Sequence, residues 1–442
     1  MHISKVLVKN FRNFNNIQID LQEGLNVIVG PNNVGKSNFI EVISYLNKDP
    51  NTTASIDDFN KYVLNANIDK YKSEPPLIEI EYTIEHDLNF EIEDSAFSKL
   101  SNILVFDSVT GDIDMDESNE RAHLIAKTSL KYEYDIKEIE EYKKEMNHVN
   151  DFTSFYNILI KLQKNFMWKF YNYTTGAEID KKTINNIFEI DMISASRSID
   201  GITDHSKKYV NEKIKENDID VFEIKNDISN KIQKKLELVK KQIDDDINED
   251  QKQIGITNGK NKFVSNFIFD AELSDFFKYE LEDDMIGFPL PLEYNGLGYN
   301  NLIYIRNLLK QKKNNDYNVI LLEEPEAHLH PNMQYKLLCY VNDLKEQQNG
   351  DIKIKNQIFV TTHSSNITAK LKIKDIILFS MDRSKNPPDN IAINLSNNFS
   401  SSKVKDILNI SEYDKELLSK AEEHLEKFLD VTRSDILFSE KV

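Results

Sequence analysis

The chain has 442 residues, a formal net charge of −19 and 40% hydrophobic residues, so it is long enough for two or three folded units with a substantial core. This acidity argues against a surface broadly suited to wrapping DNA, although a local basic groove or a charged partner domain stays open. The single cysteine, Cys339, excludes an internal disulfide framework, and the sequence shows neither a membrane-length apolar run nor a signal peptide. We therefore expect a cytoplasmic protein with no membrane partner.

The chain begins with two strand patterns joined by a short turn. Val6 and Val8 alternate with their neighbours, and the apolar residues at 17, 19 and 21 alternate with polar ones, which predicts an antiparallel pair. Arg12 lies in the turn between these strands. It is either an ordinary solvated turn residue or a side chain that reaches the ligand of the loop that follows.

A phosphate-binding loop follows this strand pair. Residues 25–40 read L-N-V-I-V-G-P-N-N-V-G-K-S-N-F-I, in which the short apolar run Leu25–Val29 predicts a buried strand and the next eight residues fit G-x-x-x-x-G-K-[ST]. Chance alone would place the four fixed residues in such a chain roughly once or twice in a hundred. Backbone N–H groups and Lys36 would hold a triphosphate, and the hydroxyl of Ser37 would bind Mg²⁺. The candidate nucleotide-binding residues are Gly30, Pro31, Asn32, Asn33, Val34, Gly35, Lys36, Ser37 and Asn38, with Arg12 as a further candidate.

The middle of the chain changes from strand to helix patterns. Residues 77–84 and 130–136 alternate as strands and predict an antiparallel side sheet, whereas residues 152–162 predict a helix and residues 187–193 another strand. From about residue 206 to 250 the sequence is polar and helical, with one narrow apolar stripe at 224, 228, 232, 236, 239 and 243. Such a stripe on a long helix packs either against the same helix of a second copy or against its own domain as a hairpin.

A second glycine-rich segment follows the polar helical region. Residues 263–269 return to a strand pattern, and residues 294–301 read Y-N-G-L-G-Y-N-N just before a predicted helix. Because glycines bring backbone N–H groups together at a helix start, this segment is a candidate for a second anion contact. Its candidate residues are Asn295, Gly296, Gly298 and Asn300.

A run of carboxylates closes the next apolar strand. Residues 319–322 are entirely apolar and lead into Glu323-Glu324-Pro325-Glu326. In a phosphate-loop fold, an acid at the end of a neighbouring strand holds Mg²⁺ and a second acid orients or deprotonates the attacking water. Glu323 fits the metal role and Glu324 fits the catalytic base.

Histidines and a further strand follow. The pair at 328 and 330 has neither a cysteine nor a third histidine nearby, which disfavours a zinc site. The next helix pattern places Tyr335, Leu338 and Val341 inward and gives Cys339 a packing role. Residues 357–361 then predict a strand parallel to the carboxylate strand, which brings His363 close to a γ-phosphate or to the attacking water.

Together, these segments resemble ATPase heads of the ABC class, in the AAA15, RecF and SMC branch, and in particular the overcoming-lysogenisation-defect (OLD) family. The matching segments are V-K-N-F-R-N-F, G-L-N-V-I-V-G-P-N-N-V-G-K-S-N, N-G-L-G-Y-N-N-L, L-L-E-E-P-E-A-H-L-H-P and T-T-H-S, between residues 8 and about 365. The resemblance implies an α/β fold: an ABC-type P-loop ATPase head with a mixed central sheet, an antiparallel side sheet and an inserted helical region.

The resemblance also implies roles for the residues. Residues 30–37 would form the Walker A loop, Glu323 and Glu324 the Walker B pair, residues 326–331 the D-loop and His363 the switch histidine. The catalytic residues would be Lys36, Glu324 and His363, with ATP and Mg²⁺ as cofactors. Residues 295–301 would stand for the signature motif, which completes the ATP site of the opposite subunit in a head dimer.

Two features depart from the family pattern. The chain has no L-S-G-G-Q, and where a Q-loop glutamine is expected the nearest candidate is residues 57–59, D-D-F.

At the other end, residues 433–442 resemble the segment that enters the TOPRIM nuclease domain of OLD proteins, and the chain ends before that domain's metal-binding acids. We expect an N-terminal ATPase part (1–199), a helical insertion and candidate dimerisation element (200–262), a C-terminal ATPase part (263–400) and a helix and linker (401–442).

The sequence therefore predicts an ATP-hydrolysing head of the OLD family that regulates a TOPRIM nuclease or another effector in anti-phage defence, with no nuclease activity in this chain. The expected partners are a second copy of the chain, through the heads and the helical insertion, and a TOPRIM domain or separate effector, with DNA as a further candidate. Two alternatives stay open: a nucleotide-dependent sensor or scaffold that recruits a separate effector, and a RecF-like DNA-repair ATPase.

Overall fold

A computed structural model of the chain defines the fold over most of its length. It describes residues 1–87, 99–105, 115–119, 121–147, 149, 151–193, 207, 210–211, 213–254, 264–276, 280–282, 289–291, 302, 305–306, 318–327, 329–343, 346–349, 352–382, 384–385 and 388–395. The candidate signature residues at 295–301, His328 and the predicted C-terminal segment 401–442 lie outside these ranges.

The described strands and helices are as follows. The strands are β1 (His2–Phe11), β2 (Phe14–Asp20), β3 (Leu25–Val29), β4 (Ile78–Asp87), β5 (Met115–Asn119), β6 (Arg121–Tyr134), β7 (Phe166–Asn172), β8 (Glu178–Ile179), β9 (Glu189–Ile193), β10 (Glu280–Glu282), β11 (Pro289–Pro291), β12 (Asn318–Glu323), β13 (Glu346–Asn349), β14 (Ile352–Thr361), β15 (Ile376–Asp382) and β16 (Asp389–Asn394). The α-helices are α1 (Lys36–Ser44), α2 (Lys61–Ala66), α3 (Ile68–Tyr71), α4 (Ile139–Met146), α5 (Phe152–Lys161), α6 (Lys181–Asn185), α7 (Val221–Lys235), α8 (Glu237–Ile254), α9 (Pro331–Asp343) and α10 (Ser365–Thr368).

Two seven-stranded sheets form the main body. The central sheet has the order β16-β15-β3-β14-β12-β9, with β13 paired to β14; the strands from β15 to β9 are parallel and β16 is antiparallel. The side sheet, β2-β1-β4-β6-β7-β8 with β5 on β6, is antiparallel. These arrangements confirm the predicted α/β class, the mixed central sheet and the antiparallel side sheet.

Strand burial explains why the phosphate-loop strand lies inside the central sheet. All five residues of β3 are buried, and β12 is buried from Asn318 to Leu322, because neither strand has the polar alternation of a solvated face. One expectation needs correction: β12 does not pair directly with β3, since β14 lies between them. The strand that carries His363 is therefore the direct neighbour of the phosphate-loop strand.

Helix α1 is packed between the two sheets. Phe39 contacts Phe359 and Phe379 of the central sheet, with ring centroids 6.1 and 5.7 Å apart. At the other end of the helix, Tyr45 packs 6.1 Å from Phe11 of the side sheet. The hydroxyl of Tyr82 donates to the carbonyl oxygen of Val42 at 2.7 Å, which ties β4 to the same helix. The aromatic core thus fixes the helix that begins at Lys36.

The chain divides into two compact units. The first is formed by the described residues of Met1–Ser196 and Lys312–Val442, and the second, Arg197–Gln311, is inserted between them in sequence and contains α7 and α8. The four segments predicted from sequence, 1–199, 200–262, 263–400 and 401–442, stay a prediction. Across the ranges given above, no helix combines the length and the apolar character needed to cross a membrane.

Two predictions in the inserted unit are wrong. The stripe does not lie on one uninterrupted helix, because Leu236 leaves helical geometry (φ −103°, ψ 17°) between α7 and α8; nothing in the local sequence explains this break. The predicted strand 263–269 is not formed over its described part, residues 264–269. Their polar groups bond to helix side chains instead: the N–H of Ser265 donates to Asp244 and that of Phe269 to Ser229, at 2.7 and 3.0 Å.

Helix α9 also differs from its predicted orientation. Tyr335 is 49% exposed and Cys339 is exposed, so neither packs inward as predicted. Leu338 and Val341 are buried as predicted, and Leu337 is buried with them. The inward face of α9 is therefore rotated relative to the predicted one.

Candidate active site

The phosphate loop depends on two glycines with left-handed backbone. Gly30 has φ 152°, and a Cβ there would lie 2.2 Å from the carbonyl oxygen of Phe379. Gly35 has φ 102°, and a Cβ there would lie 2.6 Å from the ring of Phe14. The helix after the loop has no side-chain cap on its first turn and no acidic residue in it. Its first N–H groups therefore donate to no capping side chain.

Lys36 is held inside the loop. Its side chain is 6% exposed, and Nζ donates to the carbonyl oxygens of Gly30 at 2.8 Å and Pro31 at 2.7 Å. Burial lowers the pKa of Lys36 from 10.5 to about 8, and the charges of Glu324 and Glu326 offset part of that shift. The ammonium group of Lys36 is thus bound by two carbonyl oxygens of its own loop.

A cavity of about 710 Å³ opens beside Lys36. It brings together residues from the first hairpin, the phosphate loop, the segment before and at the start of α2, and the ends of the strands β12 and β14. Its lining residues are Arg12, Asn13, Asn32, Asn33, Gly35, Lys36, Ser37, Asn38, Asp57, Phe59, Lys61, Tyr62, Glu324 and His363. Of the candidate loop residues, Gly30, Pro31 and Val34 lie outside this lining.

Glu324 and His363 meet at the carboxyl ends of neighbouring strands. Glu324 has a positive φ of 43°, and its N–H donates to the carbonyl oxygen of Thr361 at 3.0 Å. His363 Nε2 lies 3.3 Å from Glu324 Oε1. Burial lowers the pKa of His363, the charge of Lys36 lowers it further, and Glu324 opposes the shift. The histidine is therefore neutral near pH 7, with a proton on Nε2 if it donates to the carboxylate.

Glu326 is a site residue whose contacts the motif did not reveal. It is 8% exposed, and its Oε1 accepts hydrogen bonds from Thr362 Oγ1 at 2.6 Å and from the N–H of His363 at 2.9 Å. Burial raises the pKa of Glu326, and these hydrogen bonds oppose the shift. The sequence shows this third acid close to Glu323 and Glu324, but it does not show which groups donate hydrogen bonds to it.

Arg12 is only partly solvated. Its Nε donates to Asp58 Oδ1 at 2.9 Å, and its NH1 bonds to Asn38 Oδ1 at 3.1 Å and to Glu41 Oε2 at 2.5 Å. The guanidinium also lies 4.9 Å from the centre of the Phe11 ring. These contacts hold Arg12 at the cavity wall. Contact with a bound nucleotide stays a prediction.

The proposed metal ligands fit magnesium in kind. Ser37 is exposed in the cavity, whereas Glu323 is half-buried at the end of β12 and lies outside the cavity lining. Within the described ranges no cluster of three or more His, Cys, Asp or Glu side chains is arranged for a metal. Magnesium in phosphate-loop proteins takes one hydroxyl, one carboxylate, phosphate oxygens and water, so a cluster of protein ligands is not needed.

Comparison with known proteins gives relatives of several kinds. Endonuclease GajA from Bacillus cereus (strain HuB5-5) is 24% identical over 420 residues, covering 83% of this chain and 58% of that protein. The chain thus spans a little over half the length of this relative. The DNA replication and repair protein RecF from Clostridium botulinum (strain Eklund 17B / Type B) is 44% identical over 45 residues, 10% of this chain and 12% of RecF.

Solved structures and a family profile complete the comparison. The SMC head domain from Thermotoga maritima is 12% identical and superposes with a TM-score of 0.39, covering 89% of this chain and 99% of that one. The profile of the AAA ATPase domain family (AAA_15) matches residues 1–368, well over half of the chain. The chain therefore belongs to the AAA ATPase domain family.

Proposed function

We propose that this chain binds ATP with Mg²⁺ and hydrolyses it to ADP and phosphate. The observation that carries the proposal is the shared cavity: Lys36 and Ser37 of the phosphate loop line it together with Glu324 and His363. The residues proposed to bind phosphate and those proposed to activate water therefore line one cavity, as phosphoryl transfer to water requires.

Each residue of the site has its own role in the proposed reaction. The loop N–H groups and Lys36 bind the phosphates, and Lys36 leaves the carbonyls of Gly30 and Pro31 to do so. Ser37 and Glu323 would hold Mg²⁺, which neutralises charge on the phosphates when bound. Glu324 accepts a proton from the attacking water as its oxygen bonds to the γ-phosphorus and the bond to ADP breaks. Neutral His363 donates through Nε2 and orients Glu324.

Turnover measurements test this assignment. Steady-state ATPase rates of wild type, Lys36→Ala and Glu324→Gln should show a loss of at least about 100-fold in both variants. Glu324→Gln should keep its nucleotide, because the amide cannot accept the proton but leaves the phosphate contacts intact, whereas Lys36→Ala should lose it. Equal rates in all three proteins would remove the assignment.

We further propose that two copies act together and gate an effector. The family resemblance assigns residues 295–301 to the ATP site of the opposite subunit, and the relative named GajA is an endonuclease over a longer chain. We therefore expect the effector to be a TOPRIM nuclease domain or a separate nuclease. DNA cleavage by the whole gene product with and without ATP, for wild type and Lys36→Ala, tests this link.

Anti-phage defence is the setting that the OLD-family resemblance implies. Cells carrying the wild-type gene should reduce phage plating, and cells carrying Lys36→Ala should not.

Negligible turnover together with intact ATP-dependent capture of a separate effector would favour the sensor or scaffold alternative. A salt-sensitive DNA affinity of the isolated chain would favour a RecF-like repair ATPase.

A further inference from the structure

Glu326 connects the two turns that carry the catalytic pair. It lies three residues beyond Glu323, the last residue of β12, and Glu323 pairs in register with Thr361, the last residue of β14. From there, the Oε1 atom of Glu326 accepts the hydroxyl of Thr362 at 2.6 Å and the N–H of His363 at 2.9 Å. One carboxylate oxygen thus binds both residues that follow the second strand.

The buried position of this carboxylate does not help to stabilise the fold. Glu326 is 8% exposed, and its Oε2 is buried with no hydrogen-bond partner in the described part of the chain. Burying a carboxylate with only one oxygen bonded costs free energy, and an apolar residue of similar size would avoid that cost. The two bonds of Oε1 are charge-assisted, and they are directional. This favours a role in geometry over one in packing.

The two bonds act on the part of the chain that sets the position of His363. The N–H of His363 is fixed by Glu326, and its Nε2 lies 3.3 Å from Glu324 Oε1. The histidine is therefore held at its backbone by one acid of the E-E-P-E turn and contacted at its ring by another. The charge of Glu326 also acts on Lys36, as its influence on the lysine pKa indicates.

We propose that Glu326 is a positioning residue for ATP hydrolysis, which clamps the turn after β14 to the turn after β12 and thereby holds His363 against Glu324. This inference rests on the proposed function, since it names a residue that acts through the proposed catalytic pair. It goes beyond that function because Glu326 itself touches neither nucleotide nor water in the proposed reaction.

Gln334 offers a matched control. Its Oε1 accepts the hydroxyl of Ser364 at 2.6 Å, and its Nε2 donates to the carbonyl oxygen of Leu329 at 2.9 Å. This side chain also ties the turn after β14 to the segment that follows β12, but within the described residues it makes no bond to His363. Gln334→Ala therefore loosens the same two segments without releasing the histidine.

The test compares Glu326→Ala, Thr362→Val and Gln334→Ala with wild type in the full chain. We expect Glu326→Ala to lower kcat roughly 10- to 100-fold while the Kd for ATP stays within about twofold. The acid limb of the kcat profile should move to higher pH, because a released histidine is more solvated and its pKa rises towards the ordinary value. Thr362→Val, which removes one of the two bonds, should move kcat and the acid limb in the same directions by less.

Gln334→Ala should leave both kcat and the acid limb unchanged, even where its melting temperature falls as much as that of Glu326→Ala. Equal kinetic changes in the two alanine variants, or an unmoved acid limb in Glu326→Ala, would overturn the inference. If Glu326→Ala does not fold, Glu326→Gln and Thr362→Val decide, and wild-type kinetics in both would overturn it. Wild-type rates in Lys36→Ala and Glu324→Gln would instead remove the proposed function.

Discussion

His363 Nε2 lies 3.3 Å from Glu324 Oε1, and the register of two parallel strands creates this contact. Glu323 and Thr361, the last residues of β12 and β14, are partners across the ladder, so the residues that follow them leave the sheet at the same edge. The positive φ of Glu324 turns the chain immediately after the strand. An acid and a neutral imidazole thus meet at the wall of the cavity that contains Lys36.

The pH dependence of hydrolysis follows from this pair. Burial and the charge of Lys36 lower the pKa of His363 below 6.5, so the ring is neutral above that pH and becomes charged as the pH falls. A charged ring would hold the Glu324 carboxylate in an ion pair and make it a weaker base. We expect kcat to fall on the acid side with a midpoint below pH 6.5, and His363→Gln to be at least about 10-fold slower with that limb lost. A midpoint above 6.5 in wild type would contradict this assignment.

ATP binding should take up a proton at alkaline pH. Burial lowers the pKa of Lys36 to about 8 without ligand, and a triphosphate favours the charged form, so binding raises that pKa. At pH 8 each site should take up about half a proton, and at pH 7 about a tenth, while affinity declines as the pH rises above 8. Calorimetry in two buffers of different ionisation enthalpy measures this uptake. Equal uptake at pH 7 and pH 8 would show that another group is responsible.

The parts of the site that are contiguous in sequence could be predicted. The strand Leu25–Val29, the loop and α1 follow from a motif and a change of periodicity, both of which are local. The bonds from Arg12 to Asp58 and from His363 to Glu326 join residues 46 and 37 positions apart. No periodicity reports such pairs, because they depend on how the sheets and helices pack.

Two of the predictions that are wrong share a physical cause. Strand order in the central sheet puts β14 between β3 and β12, and pattern alone does not give the order of buried parallel strands. The described part of the predicted strand, residues 264–269, is rich in apolar residues, but two of its N–H groups donate to side chains on α7 and α8. In both places, tertiary contacts determine the structure, because the local sequence pattern is compatible with more than one arrangement.

Glycine substitutions should separate steric demand from backbone strain. Gly30, Gly35 and Gly176 all have positive φ, but a Cβ would meet the Phe379 carbonyl oxygen at 2.2 Å in the first, the Phe14 ring at 2.6 Å in the second and nothing within 4 Å in the third. We expect Gly176→Ala to cost about 1 kcal/mol in the free energy of unfolding, from strain alone. Gly30→Ala and Gly35→Ala should each cost at least about 3 kcal/mol, because strain and overlap add. Chemical denaturation measures the three, and equal costs would contradict the steric account.

Arg12 should contribute more to the free energy of unfolding than Lys9, which also makes two ion pairs. Arg12 bonds to Glu41 and to the buried Asp58, whereas Lys9 bonds to Glu79 and Glu81 on the outer face of the side sheet. We expect Arg12→Ala to lower the free energy of unfolding by about 3 kcal/mol, since it leaves a buried carboxylate without its partner. Lys9→Ala should cost less than about 1 kcal/mol, because the two glutamates that it leaves are still partly in contact with solvent. The same denaturation experiment compares them, and a reversed order would argue against this account.

The apolar stripe of the inserted unit should control association of the chain. On α8, the stripe residues Val239 and Ile243 are 46% and 39% exposed, although apolar side chains in this spacing gain free energy when a partner covers them. We expect Val239→Asp to shift wild-type dimers or larger oligomers towards monomers by at least about 10-fold in the dissociation constant, because a carboxylate would be buried at the contact. Gln242→Asp places the same charge on an exposed polar position of the same helix and should leave association unchanged. Sedimentation over a range of concentrations measures both variants, and a wild-type chain that stays monomeric would rule out this stripe as the contact between copies.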